Sequence, residues 1–103
     1  MSHSVYVTSS EGRSGKSTVA LGLLEALVAT SKNVAVFRPI IDSRPDRDAA
    51  VELLVSHPGV RQDYEEALGV TYDLVNSSPE KAQEEIMRRY QALHEKYETV
   101  LVL

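Results

Sequence analysis

The chain has 103 residues, enough for one small domain with a core of its own. With 15 acidic against 11 basic side chains it has a net charge of -4 and no basic stripe, which argues against a nucleic-acid-binding surface. It contains no cysteine, so disulfides and thiolate metal sites are excluded. No basic and apolar leader opens the chain and no apolar run is long enough for a bilayer, so no membrane association and a cytoplasmic setting are expected.

In chain order, a β-type segment is expected over 5–9. After it comes Ser9-Ser10-Glu11-Gly12-Arg13-Ser14-Gly15-Lys16-Ser17-Thr18, and then a helix-type stretch from about 16 to 31. That helix is apolar nearly all round, with Glu25 its only acid, which predicts broad burial. Val34-Ala35-Val36-Phe37 is a continuous apolar run of the kind found in parallel strands covered on both faces; Arg38-Pro39 is expected to stop it. A polar loop with Asp42, Arg44, Asp46 and Arg47 reads as a solvated charged segment. Asp48 then stands as N-cap of a helix that ends before Pro58-Gly59.

Between 61 and 75 the pattern is weaker: a short helix over 64–68 and a short extended piece over 70–72. Ser78-Pro79-Glu80 reads as N-cap, first-turn proline and first-turn acid. Ala82, Ile86, Tyr90, Leu93 and Tyr97 fall on one face of a long amphipathic helix, with Glu84, Arg88, Arg89, Gln91 and Glu95 on its solvated face. The tyrosines at 90 and 97 read as core. A third buried-type strand covers 99–103. The order βαβ, helices, β predicts an α/β fold with a parallel sheet and flanking helices. A buried-type strand at the end of the chain suggests a fold cut partway, so 1–103 is expected to be a single partial domain.

Strand, glycine-containing loop, helix is the setting of a phosphate loop. Gly15-Lys16-Ser17 is the tail of a Walker A motif, while the position of the first glycine holds Ser10. In such a loop backbone N–H groups around Gly12, Ser14 and Gly15 face the anion and Lys16 reaches the terminal phosphates. Ser17, followed by Thr18, supplies a hydroxyl to Mg²⁺. ATP with Mg²⁺ is the cofactor this implies, against a Gly-Lys-Ser helix start with no ligand. Asp48 is a candidate second Mg²⁺ ligand, or a plain helix cap. Arg38, after a parallel strand, is a candidate anion contact or a surface arginine. His3, His57 and His94 have no ligand-type spacing, so no zinc site is indicated.

The stretch 7–17 resembles the modified phosphate loop of dethiobiotin synthetase, whose first glycine would fall at Ser9. Phe37-Arg38-Pro39-Ile40 is similar to its Lys-Pro motif, and Arg47-Asp48-Ala49 to its Mg²⁺-binding segment. The closer resemblance is to the dethiobiotin-synthetase-like N-terminal domain of long bacterial phosphate acetyltransferases. It rests on Ser14-Gly15-Lys16-Ser17-Thr18 with Ala20-Leu21-Gly22-Leu23, on 36–40, on Gly69-Val70-Thr71-Tyr72 and on Val100-Leu101-Val102-Leu103.

This resemblance implies a P-loop NTPase-like fold with the last strand inserted between the first two, and a structural and regulatory role. The partners implied are the other domains of one polypeptide, with homo-oligomers in the full-length protein. No catalytic residue is carried over, because the family's acyltransferase domain lies further along. Two other classes are a dethiobiotin-synthetase-like ligase, against which stands Arg38 in the place of lysine, and a partner-switching ATPase of the ParA or MinD type. The signature lysine of the latter would fall at Glu11.

Overall fold

The computed structural model describes residues 3–7, 16–42 and 47–103. Four parallel strands form one sheet in the order β1-β4-β2-β3: β1 His3–Tyr6, β2 Val34–Ile41, β3 Leu68–Thr71 and β4 Thr99–Val102. β4 lies between β1 and β2, with His3 and Val34 both opposite Thr99 and with Tyr6 and Phe37 both opposite Val102. The insertion of the last strand between the first two is therefore as expected.

The apolar strands bury both faces by simple alternation. Val34 and Val36 of β2 and Leu101 of β4 face one cluster, together with Ala20 and Leu24 of α1 (Lys16–Thr30) and Val51 and Leu54 of α2 (Ala49–Val55). Ala35, Phe37, Val100 and Val102 face the other, against Leu93 and Tyr97 at the end of α4 (Pro79–Lys96). The amphipathic face expected for α4 is the one that packs: Ala82 and Leu93 are buried, and Ile86 and Tyr90 are half-buried against the core. Pro79 sits in its first turn, while Ser78 occupies the N-cap position without a side-chain capping bond.

Four expectations are corrected. Helix α1 is not broadly buried. It meets the protein on one side only, leaving Val19 56% and Leu23 36% exposed. Strand β2 does not stop at Arg38-Pro39 but runs on to Ile41. The Phe37 carbonyl accepts from Leu103 N at 2.9 Å, while the Pro39 carbonyl lies against Gly69 of β3. The last β2–β4 pair is Phe37 with Val102, so the N–H that proline lacks falls beyond the paired part of that ladder.

In the weak region, third, the expected short helix and extended piece are both present with shifted bounds, and a further helix follows them. A 3₁₀ turn over Tyr64–Ala67 leads straight into β3, which pairs with β2 from Arg38↔Leu68 to Ile41↔Thr71. Tyr72, read as extended, instead opens a helix α3 (Tyr72–Ser77), capped by the Thr71 hydroxyl accepting from Leu74 N at 3.2 Å. The fourth correction concerns Arg89, which is not simply solvated: its guanidinium donates to the Leu68 carbonyl at 2.8 Å.

Two contacts bind β3 and its approach to β2. Gly69 lies so close that an added Cβ would come within 2.0 Å of the Pro39 carbonyl oxygen. Upstream of β3, the buried Gln62 carboxamide takes a strand's place beside Val36: its oxygen accepts from Val36 N and its nitrogen donates to Val36 O, both at 2.8 Å. Among the described residues no buried side-chain polar atom lacks a partner.

Candidate functional site

In a parallel sheet all carboxyl ends lie along one rim, and both α1 and α2 begin there. Strand β1 delivers Val7 to this rim, buried and bonded through its N–H to the Val102 carbonyl at 2.8 Å. Gly12, Ser14 and Gly15 lie outside the described residues. Lys16 and Ser17 are the first two residues of α1, and Thr18 follows exposed in its first turn. The strand-before, helix-after setting of the motif is thus present, with the helix N-terminus at the rim of the strands' carboxyl ends.

Arg38 and Asp48 are brought together. Arg38 projects from the carboxyl half of β2, and its Nη1 bonds both carboxylate oxygens of Asp48, at 3.0 Å to Oδ1 and 2.7 Å to Oδ2. The pair is partly shielded, with side chains 32% and 13% exposed. Asp48 is also the N-cap expected of it, Oδ1 accepting from Val51 N at 3.0 Å. The Tyr64 hydroxyl accepts from Asp48 N at 2.7 Å, and the Arg47 guanidinium lies 3.8 Å above the Tyr64 ring. Arg47 also pairs with Glu52 at 3.1 Å.

Of the charged loop, Arg47 and Asp48 are therefore engaged, while Arg44 and Asp46 lie outside the described residues. Tyr64 had no role in the sequence reading. Its only signal was a place in a short helical pattern, and the partner it meets lies sixteen positions earlier.

A second polar cluster, unread in the sequence, ties β1 to α4. Ser4 Oγ bonds the Tyr90 hydroxyl and His94 Nε2, the latter at 2.7 Å, and the Tyr6 and Tyr90 hydroxyls are 3.0 Å apart. The Tyr90 and His94 rings stand edge to face, 4.5 Å between centroids. The hydrogen bond to Tyr90, followed by burial, raises the Tyr6 phenol above its ordinary pKa. Tyr90 and Tyr97 serve the core as expected, Tyr90 adding this polar contact. Among the described residues no three His, Cys, Asp or Glu side chains converge as a metal cluster, and no helix is long and apolar enough to cross a membrane.

A family model described as an AAA domain matches residues 3–103, and the chain belongs to that family. The four-stranded parallel sheet with flanking helices is a fold of the P-loop NTPase type. Within the family the chain is similar to phosphate acetyltransferases, as the sequence resemblance implied. It is 33% identical to the phosphate acetyltransferase of Nitratidesulfovibrio vulgaris over 98% of its own length. It is 29% identical to that of Synechocystis sp. over 86%. The chain spans only 15% and 13% of those two proteins. No solved structure matches the chain.

Proposed function

We propose that this chain is the phosphate-loop domain of a longer phosphate acetyltransferase, a cytoplasmic enzyme. The parent enzyme interconverts acetyl-CoA plus phosphate with CoA plus acetyl phosphate in another domain of the same polypeptide, and this domain serves structure and regulation. The observation that carries the reading is the coincidence of two things: similarity to two phosphate acetyltransferases along most of the chain, and a parallel sheet in which the motif follows β1 and opens α1.

The proposed ligand is a nucleotide such as ATP. Its phosphates would be held by the backbone at Gly12, Ser14 and Gly15, by Lys16, and by Ser17 and Thr18 at the start of α1, with Arg38 beside them. Ser17 is the residue of this set that would offer a hydroxyl to Mg²⁺.

Two experiments test the reading. Saturating ATP is expected to raise the melting temperature by several degrees, since a ligand at a hundred times its Kd adds about 2.7 kcal/mol. Lys16→Ala is expected to abolish that rise. No rise in the unsubstituted chain would leave a scaffold domain without nucleotide. The complete reading frame provides the second test, because the lack of an acyltransferase domain would defeat the assignment to this enzyme.

A further inference from the structure

The Mg²⁺ expected at Asp48 does not fit the donor set around that residue. Mg²⁺ takes oxygen ligands in near-octahedral order and gives up water reluctantly. The Asp48 carboxylate has little to give it. Arg38 Nη1 straddles both oxygens at 3.0 and 2.7 Å, and Oδ1 also accepts the first-turn N–H of Val51 in α2. The main chain of Asp48 is fixed as well, its N–H donated to Tyr64, whose ring carries Arg47. A metal at this carboxylate would meet the Arg38 charge at hydrogen-bonding range, and turning the carboxylate away would uncap α2.

Building on the phosphate-loop reading, we propose that Arg38 is the resident cation of this rim. It takes the place of a divalent metal at Asp48, so a phosphate-bearing anion bound here needs no metal bridge to that residue. Arginine suits the role: its planar, permanently charged fork matches a carboxylate, and it is less strongly hydrated than an ammonium. At 32% exposure its side chain still reaches solvent, and a guanidinium carries further donors for an anion beside its carboxylate.

The test uses the full 103-residue chain, ¹⁵N-labelled and free of ATP, with substoichiometric Mn²⁺ as a paramagnetic probe. In the unsubstituted chain the amide signals of Asp48 and Val51 are expected to keep their intensity. In Arg38→Gln, which frees the carboxylate, they are expected to broaden, and Asp48→Asn on that background removes the effect while keeping a capping residue. With Mg²⁺ present, Asp48→Asn is expected to change ATP affinity less than about twofold, under 0.5 kcal/mol.

Broadening at Val51 in the unsubstituted chain overturns the proposal, as does the absence of broadening in Arg38→Gln. A tenfold loss of ATP affinity in Asp48→Asn with Mg²⁺ present would do the same. The phosphate-loop reading is scored apart, by ATP-induced shifts of amides 10–18. If ATP moves none of them that reading fails, and the Mn²⁺ comparison still decides what occupies Asp48.

Discussion

The two outer strands of the sheet are secured in different ways. β3 is locked by contacts that admit no substitute: Gly69 against the Pro39 backbone, Gln62 spliced onto Val36 just before the strand begins, and Arg89 on the Leu68 carbonyl. β1 is tied to α4 by hydroxyls and an imidazole near the surface, with Tyr6 62% exposed. A short strand of ordinary composition can thus be held by buried complementarity on one side of a molecule and by a solvated polar chain on the other. The first is sensitive to a single atom. The second can exchange its partners for water.

The sharpest way to break this contrast is Gly69→Ala. The methyl group would overlap backbone rather than a movable side chain, so a loss of about 3 kcal/mol or more is expected in urea unfolding followed by circular dichroism. A loss below about 0.5 kcal/mol would mean that β3 can move away from β2 freely. Next comes Gln62→Ala. It strands the N–H and C=O of Val36 where both are buried, and about 2 kcal/mol is expected, because each unsatisfied group costs about 1–3 kcal/mol unless water follows it in. Arg89→Ala is expected to cost about 1 kcal/mol through the lost bond to Leu68.

Acid probes the same lock. Glu85 is held down to about 2 by hydrogen bonds from Arg88 and then Arg89. A carboxyl depressed on folding stabilises the protein above its unfolded value and loses that effect as pH falls through the folded value. Stability is therefore expected to decline from about pH 4.5 toward pH 2, with Glu85→Gln removing part of the slope. An unchanged slope in the variant would assign the decline to other carboxyls. Ser4→Ala should matter least, about 0.5 kcal/mol, since water can replace its partners. If thermal melting showed a loss equal to that of Gln62→Ala, the contrast between the edges would collapse.

The sequence made much of this fold legible where periodicity was strong. The runs 34–37 and 99–102, the stripe from Ala82 to Tyr97 and the cap at Asp48 each carry a local signal that survives packing. Pro39 misled because its effect depends on whether the ladder needs its missing N–H, and the pairing with β4 ends at Phe37. β3 was legible only at Val70 and Thr71, because its first half is short and carries a glycine whose reason is the backbone across from it. α3 begins with Tyr72, a strand former, and lasts only six residues.

At the candidate site, residue types and spacing revealed Lys16, Ser17, Arg38 and Asp48 as candidates. They did not reveal that Arg38 and Asp48 meet, because a ten-residue separation across a loop carries no periodic signature. A buried Gln62 is harder still: nothing local distinguishes it from a surface glutamine.

That glutamine has a consequence for the timing of solvent access. Val36 lies in the interior of the sheet, where amide hydrogens ordinarily exchange only when the whole molecule opens. Its N–H, however, is guarded by a side chain from the segment between α2 and β3 rather than by a neighbouring strand. A local excursion of residues 58–63 is enough to bare it. In deuterium, Val36 should lose its label faster than its sheet neighbours on the same strand, a fast clock set inside a slow one.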